Sequence, residues 1–389
     1  MKSQLPLSSD EDEDYGRLSA ASGAAYCWWR STAAFDEYCM NENKQLPSIT
    51  GLTRQVRLLR ELERLALVVA GDGLDELRQK LFAYRVGDFW IPAGGIPREE
   101  MDIPAANTVL LTGFTGSGKS SLVNLMYSVL GRAGLIPFAQ TSSGKSSENT
   151  TMFLQEHNVL RSVRSGFCVY DSRGFNYDNV SEGLDELSGW MSEGVHHNQP
   201  CVRPGDQGPA EEDSESFMST SSSKYVVRRV NCVLVIVNIA EVYQAMKGGD
   251  LKPLMATKEL FCFPPLRVCG EYPILITTHG DMLLPKERLE ARLKITEILG
   301  ISEATGMYDI VCLTEYGFLA EESDPVTAFA LAETVYRALL ISDRTHVPRR
   351  SPRDWALMVI SWLLCFFGAI FSLLAEFCSK LGRRRCFRI

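Results

Sequence analysis

The chain has 389 residues, of which 45% are hydrophobic and 23% charged, and its formal net charge is -8. That composition is globular, enough for one large domain or two modest ones. The negative balance argues against a general nucleic-acid binder, whose affinity comes from clustered Lys and Arg neutralising phosphates, so no nucleic acid is expected as a partner. The eleven cysteines are scattered with no C-x-x-C pair, and the first residues lack the apolar core of a signal peptide. Reduced thiols and a soluble part facing the cytosol are expected.

Residues 1–45 carry the acidic run Asp10 to Asp14 and a small-residue stretch that cannot build a core, so a solvated, disordered tail is expected. Within it, the cluster Tyr26, Cys27, Trp28, Trp29 is costly to leave in water and is expected to dock on the folded body. Residues 46–104 read as a helical accessory layer and linker. Val56, Leu59, Leu62 and Ala66 share one face, Gly71 and Gly73 break the pattern, and Pro and Gly concentrate between Phe89 and Pro104.

From residue 105 to 342 the texture is α/β. Apolar runs at Thr108 to Thr112, Met152 to Glu156, Phe167 to Tyr170, Cys232 to Asn238, Ile274 to Thr278 and Ile310 to Leu313 alternate with helical patterns. A doubly wound, mostly parallel sheet is expected. Pro285 and Gly300 bracket one helix, and Asp324-Pro325 opens another that runs to about Ile341. A polar stretch, 196–224, reads as a surface insertion. His196 and His197 at its start have no Cys or acid at ligand spacing and are assigned no metal.

Gly113-Phe114-Thr115-Gly116-Ser117-Gly118-Lys119-Ser120 matches G-x-x-x-x-G-K-[ST] in full, between an apolar strand and a helical run beginning at Ser121. Its glycines let backbone amides and the helix N-terminus point at a phosphate. Lys119 is expected on the β and γ phosphates, and the Ser120 hydroxyl on Mg²⁺. A near-copy ending Gly144-Lys145-Ser146 has Ala139 at the first glycine and no apolar helix behind it.

Asp171-Ser172-Arg173-Gly174 ends a strand about 50 residues later, the D-x-x-G arrangement in which Asp holds Mg²⁺ through water and the Gly amide senses the γ-phosphate. Thr150 or Thr151 would complete the Mg²⁺ shell. Thr278-His279-Gly280-Asp281 resembles [NT]-K-x-D, with Asp281 able to accept from N1 and N2 of guanine, donors that adenine lacks. Thr314 and Glu315 occupy the last base loop. GTP or GDP is therefore the expected ligand.

Together, the loop Gly113 to Ser121, Asn124 and Ser128 in the helix after it, the serine-rich stretch beyond, and Asp171 to Gly174 resemble the septin-like side of the TRAFAC GTPases. They are most similar to the interferon-induced 44 kDa protein family, over about residues 105–342. The resemblance implies GTP binding, Mg²⁺ and a homodimer formed across the nucleotide site. Phe175 stands where Ras-type enzymes place the water-orienting Gln, so slow hydrolysis is expected. Arg173 reads as a surface arginine.

Trp355 to Ala375 contains no charged residue, and about 21 residues of helix span about 31 Å, enough for a bilayer core. A basic linker, 343–354, precedes it and a basic tail, 376–389, follows. A single anchor in membrane lipid is expected, in an organelle outer membrane or the endoplasmic reticulum, with the body in the cytosol. Two further readings stand beside the switch: a tail-anchored tether that binds nucleotide with little turnover, and a P-loop ATPase.

Overall fold

A computed structural model describes residues 27–42, 53–91, 97–131, 139, 151–160, 166–201, 226–312, 324–349 and 352–386. The chain divides into two compact units, Met1–Ile91 with Pro104–Thr345 and Pro92–Ile103 with His346–Ile389.

The first unit is built on strands β2 (Asn107–Gly113), β3 (Phe153–His157), β4 (Phe167–Asp171), β5 (Gln199–Pro200), β6 (Cys232–Asn238), β7 (Ile274–Thr278) and β8 (Met307–Asp309). They form one sheet in the order β5-β3-β4-β2-β6-β7-β8. All ladders from β4 to β8 are parallel; β3 runs antiparallel to β4, and β5 to β3. This is the expected mostly parallel, doubly wound α/β fold, with β2 at the point where the strand order reverses. Ligands bind such sheets beyond the carboxyl ends of the strands at that point.

Both faces of the sheet are covered, which is why β2, β4 and β7 are buried along their whole length. Alternation sends successive residues of β2 to opposite sides. Val109 and Leu111 join a core with α3 (Gly73–Ala83), α4 (Lys119–Gly131) and α9 (Pro325–Asp343). Leu110 joins one with α5 (Val180–Glu193), α6 (Ile239–Lys247), α7 (Lys252–Cys262) and α8 (Pro285–Leu299).

The expected edge strand at Ile310 to Leu313 forms three residues earlier, as β8. The apolar side chains of Ile310 and Val311 remain buried, but the ladder ends at Asp309, and the Ile310 amide donates its last bond to the Thr277 carbonyl. β3 begins one residue later than expected.

The helices before the sheet are α1 (Ala33–Glu42), α2 (Arg54–Ala70) and α3. They are not a separate layer, because α3 shares the core of the sheet. The Thr53 hydroxyl caps α2 by accepting from the Val56 amide. Gly71 and Gly73 end one helix and begin the next, and a Cβ on Gly73 would meet the Val68 carbonyl at 2.6 Å. Cys27 and Trp29 are buried against α2 with Leu58, Leu59 and Leu62, so this part of the aromatic cluster docks on the body as expected. Tyr26 and the acidic run lie outside the described residues.

The second unit pairs β1 (Met101–Asp102) antiparallel with β9 (Val347–Pro348), and the Arg349 amide donates to the Glu100 carbonyl. It continues into α10 (Pro352–Cys386), whose stretch Trp355–Phe377 has a mean hydropathy of 2.4 and no buried share. Among the described residues this is the one helix long and apolar enough to cross a membrane. It extends two residues past the expected end and takes in Glu376.

Candidate functional site

The loop Gly113 to Ser120 leaves the carboxyl end of β2 and enters α4. Its backbone needs glycine: Gly116 and Gly118 have φ of +75° and +86°, in the left-handed region that side chains avoid. Gly116 is exposed, and among the described residues neither its amide nor that of Gly118 donates a backbone hydrogen bond. Lys119 is buried and folds back over its own loop, with Nζ donating to the carbonyls of Gly113 at 3.1 Å and Phe114 at 2.9 Å. Ser121 follows in the first turn of α4, where unbonded amides and the helix dipole favour an anion.

β4 brings Asp171 beside this loop. The Ser120 hydroxyl donates to Asp171 Oδ2 at 2.5 Å, while Asp171 Oδ1 is buried with no hydrogen-bond partner. Burial pushes the carboxyl above its ordinary value, against the opposing Ser120 hydrogen bond and the positive charge of Lys119.

The segment after Asp171 lies directly on the P-loop, a relationship that the motif spacing does not reveal. The Phe175 amide donates to the Gly113 carbonyl at 3.1 Å, and the Thr115 amide returns a bond to the Phe175 carbonyl at 2.9 Å. The Thr115 hydroxyl donates to the same carbonyl at 3.2 Å. Gly174 is pressed so close that a Cβ there would stand 2.6 Å from Thr115 Cα. Phe114 and Phe175 are buried, and Tyr177 stacks on Phe114 with ring centroids 4.1 Å apart.

Arg173 is not the surface arginine expected. It is 6% exposed, and its Nη1 donates to the Cys201 carbonyl at 2.9 Å. The Cys201 amide in turn donates to the carbonyl of Met152, the residue before β3. Sequence pattern alone gives no sign of this link, because it joins residues 28 apart.

The base motif also reaches the P-loop. Thr278 is fully buried and its hydroxyl donates to the Ser117 carbonyl at 2.8 Å. His279 adopts a left-handed φ of 58°, and a Cβ on Gly118 would lie 3.5 Å from its Cε1, so the imidazole rests against the phosphate loop. Its Nδ1 is 2.8 Å from the Thr278 hydroxyl. Burial lowers the His279 pKa, with Asp281 opposing, which favours the neutral ring. Asp281 is exposed, and burial together with its negative charge pushes the Cys312 thiol up to about 12. The base motif therefore faces the segment that leaves β8.

Thr151 is half-buried ahead of β3, and no hydrogen bond among the described residues ties it to the P-loop. Thr150, Thr314, Glu315 and most of the insertion lie outside the described residues. So does the near-copy loop except Ala139, whose amide and carbonyl are both held by the side chain of Asn124. His197 Nδ1 accepts from the Glu156 amide at 3.1 Å, an ordinary structural role.

No protein-family profile matches the chain, and no curated protein matches it. Among solved structures, it is similar to one described as the crystal structure of a probable GTP-binding protein engB. That match covers 60% of this chain and 98% of the other, with 14% identity and a TM-score of 0.32.

Proposed function

We propose that the protein is a guanine-nucleotide switch that hydrolyses GTP slowly, held at an intracellular membrane by α10 with its body in the cytosol. The observation that carries this reading is the convergence of three loops: Lys119 and the glycine amides for phosphate, Ser120 with Asp171 beneath them, and Asp281 beyond His279 for the base. Mg²⁺ fits the second of these, since Asp171 keeps one buried oxygen without a partner and the other on the Ser120 hydroxyl. Ser120 and Asp171 would hold it, with Thr150 or Thr151 added, and when bound it would neutralise phosphate charge.

The residues divide the work. The amides of Gly116 and Gly118 and the N-terminus of α4 bind the phosphates, and Lys119 leaves its own carbonyls to pair with them. Asp281 accepts from N1 and N2 of guanine, so that a base lacking those donors leaves its charge unanswered. Gly174, in contact with Thr115, stands where a γ-phosphate would compete with the present packing of the loop. That competition supports a switch with two arrangements, and a second copy across the same face is the partner that the sequence resemblance implies.

A second reading, a tether that binds nucleotide with little turnover, is favoured by Phe175. The ring is buried, both of its backbone polar groups are bonded to the P-loop, and it offers no group to orient water. An ATPase is disfavoured by Asp281.

The test is the affinity of the full chain in detergent for GTP, GDP and ATP with Mg²⁺, together with turnover at rising protein concentration. Tight guanine-selective binding is expected, with affinity weakened roughly 100-fold in Lys119→Ala and selectivity relaxed by a similar factor in Asp281→Asn. Turnover that rises with concentration supports the dimerising switch. Binding without turnover supports the tether, and preference for ATP sinks the guanine reading.

A further inference from the structure

The base motif is braced from behind by residues that lie outside the P-loop. Gly280 begins the turn that presents Asp281, and the guanidinium of Arg288, on the first turn of α8, lies against it; a Cβ on Gly280 would stand 2.7 Å from Arg288 Cζ. Arg288 is itself 6% exposed and fixed on two further sides. Its Nε donates to Asp309 Oδ2, at the end of β8, at 2.8 Å. The Trp28 ring covers its Cζ at 4.4 Å.

Each support is anchored in turn. Asp309 is also approached by Arg292 Nη1 at 3.5 Å, and the two arginines hold its carboxyl below the ordinary range despite burial, which opposes them. Trp28 packs edge-on against Trp29 with ring centroids 5.8 Å apart, and the Trp29 indole donates to Glu63 on α2 at 2.5 Å. Only a planar cation bonds an acid through its edge while offering a flat face to an indole and a thin profile to a glycine. Lysine has a point charge and a rounder tip.

We propose that Arg288 is the positioning residue of the base-recognition turn, and that Trp28, stacked on it, couples the N-terminal segment to guanine selection. The proposal rests on the guanine reading of Asp281. Two hydrogen bonds accepted by one carboxylate from one base edge require the turn to be held closely, and a displacement of about 1 Å would forfeit much of their discrimination. The phosphate cradle is built on β2 and α4 and meets the base motif at Thr278 and His279, ahead of the turn that Arg288 braces, so its affinity is expected to change little when the brace is removed.

The experiment uses the full chain in detergent and titrates GDP, IDP, ADP and inorganic triphosphate with Mg²⁺ into wild type, Arg288→Gln, Arg288→Lys, Trp28→Leu and Trp28→Phe. IDP lacks the guanine amino group, so the GDP-to-IDP ratio reads the placement of Asp281. That ratio is expected to fall about fivefold or more in Arg288→Gln and Arg288→Lys and about threefold in Trp28→Leu, with triphosphate affinity within about twofold of wild type. Trp28→Phe, which keeps an aromatic face, should retain it. An unchanged ratio in the Arg288 and Trp28→Leu variants overturns the proposal, as does a parallel loss for all four ligands, which would mark Arg288 as merely structural. If Arg288→Gln does not fold, the peripheral Trp28→Leu decides by the same ratio. Wild type that fails to prefer GDP over ADP defeats the guanine reading itself, and the proposal falls with it.

Discussion

The Ser120 hydroxyl donates to Asp171 across 2.5 Å, joining the end of the P-loop to the end of β4. The Ser120 hydroxyl, the Lys119 charge and the Ser172 amide do not offset the burial of this acid, and one of its oxygens has no hydrogen-bond partner. Such an arrangement is costly to stability and useful only if something else meets the acid.

The cost has a sign that can be measured. Burial raises the Asp171 carboxyl above its ordinary 3.8. The folded form therefore binds its proton more tightly than the unfolded form, so its stability contribution is full below 3.8 and is lost as pH rises through the raised folded value. At neutral pH, without Mg²⁺ or nucleotide, Asp171→Asn should raise the melting temperature by about 2–4 °C. The same variant should lose the Mg²⁺ dependence of nucleotide affinity, measured by titration with and without chelator. A fall in melting temperature would count against the unpaired charge.

His279 predicts the opposite slope. Burial lowers its pKa from 6.5, so the folded protein resists a proton that the unfolded chain accepts. Its contribution is full above 6.5 and is lost as pH falls from there through the lowered value. Thermal unfolding between about pH 7 and about pH 5 should show a decline that is shallower in His279→Asn. Equal slopes would show that the ring is not withdrawn from solvent as the geometry requires.

Asp343, at the end of α9, accepts from the Tyr84 hydroxyl, the amides of Gly87 and Phe89, and the Asn107 side chain at 2.7 to 2.9 Å. One carboxylate thus fastens the segment after α3 to the start of the central strand. Asp343→Ala leaves several buried donors without an acceptor and should cost about 3 kcal/mol or more, read from urea unfolding. Asp343→Asn keeps one acceptor oxygen and should cost less.

Leu364 and Phe367 lie near the middle of the apolar stretch of α10 and are half or more exposed. An acid at the centre of a spanning helix costs about 2.5–3.5 kcal/mol. Replacing both with Asp should release the protein from membranes into the carbonate-soluble fraction while nucleotide affinity stays unchanged. Retention would show that the helix does not cross the bilayer.

The parts of the fold that the sequence announces are those where a local rule has few solutions. Cys232–Asn238 and Ile274–Thr278 form as strands over their expected spans because strands covered on both faces must be continuously apolar. Gly113 to Ser120 reads clearly because positive φ and close backbone approach demand glycine at fixed offsets. β8 was harder: Ile310 and Val311 are buried whether or not they lie in a ladder, so apolarity marks the core there without marking the strand. Arg173 and Arg288 are opaque for another reason. An arginine in a sequence looks like surface until its acceptor is known, and the Cys201 carbonyl and the Asp309 carboxylate come from distant parts of the chain. The pairing of Phe175 with Gly113 and Thr115 is tertiary in the same sense.

Phe175 also sits where a Cβ on Gly183 would have to go, so its ring is keyed into the first turn of α5. The loop after Asp171 cannot swing away from the P-loop alone without drawing that ring from its socket and wetting it, at a cost comparable to deleting a core side chain, about 3–5 kcal/mol. Moving with the helix avoids that exposure. Loop and helix would then move as one body, from Gly174 beside Thr115 to the end of α5, which runs into Val195 and its bridge to Arg228.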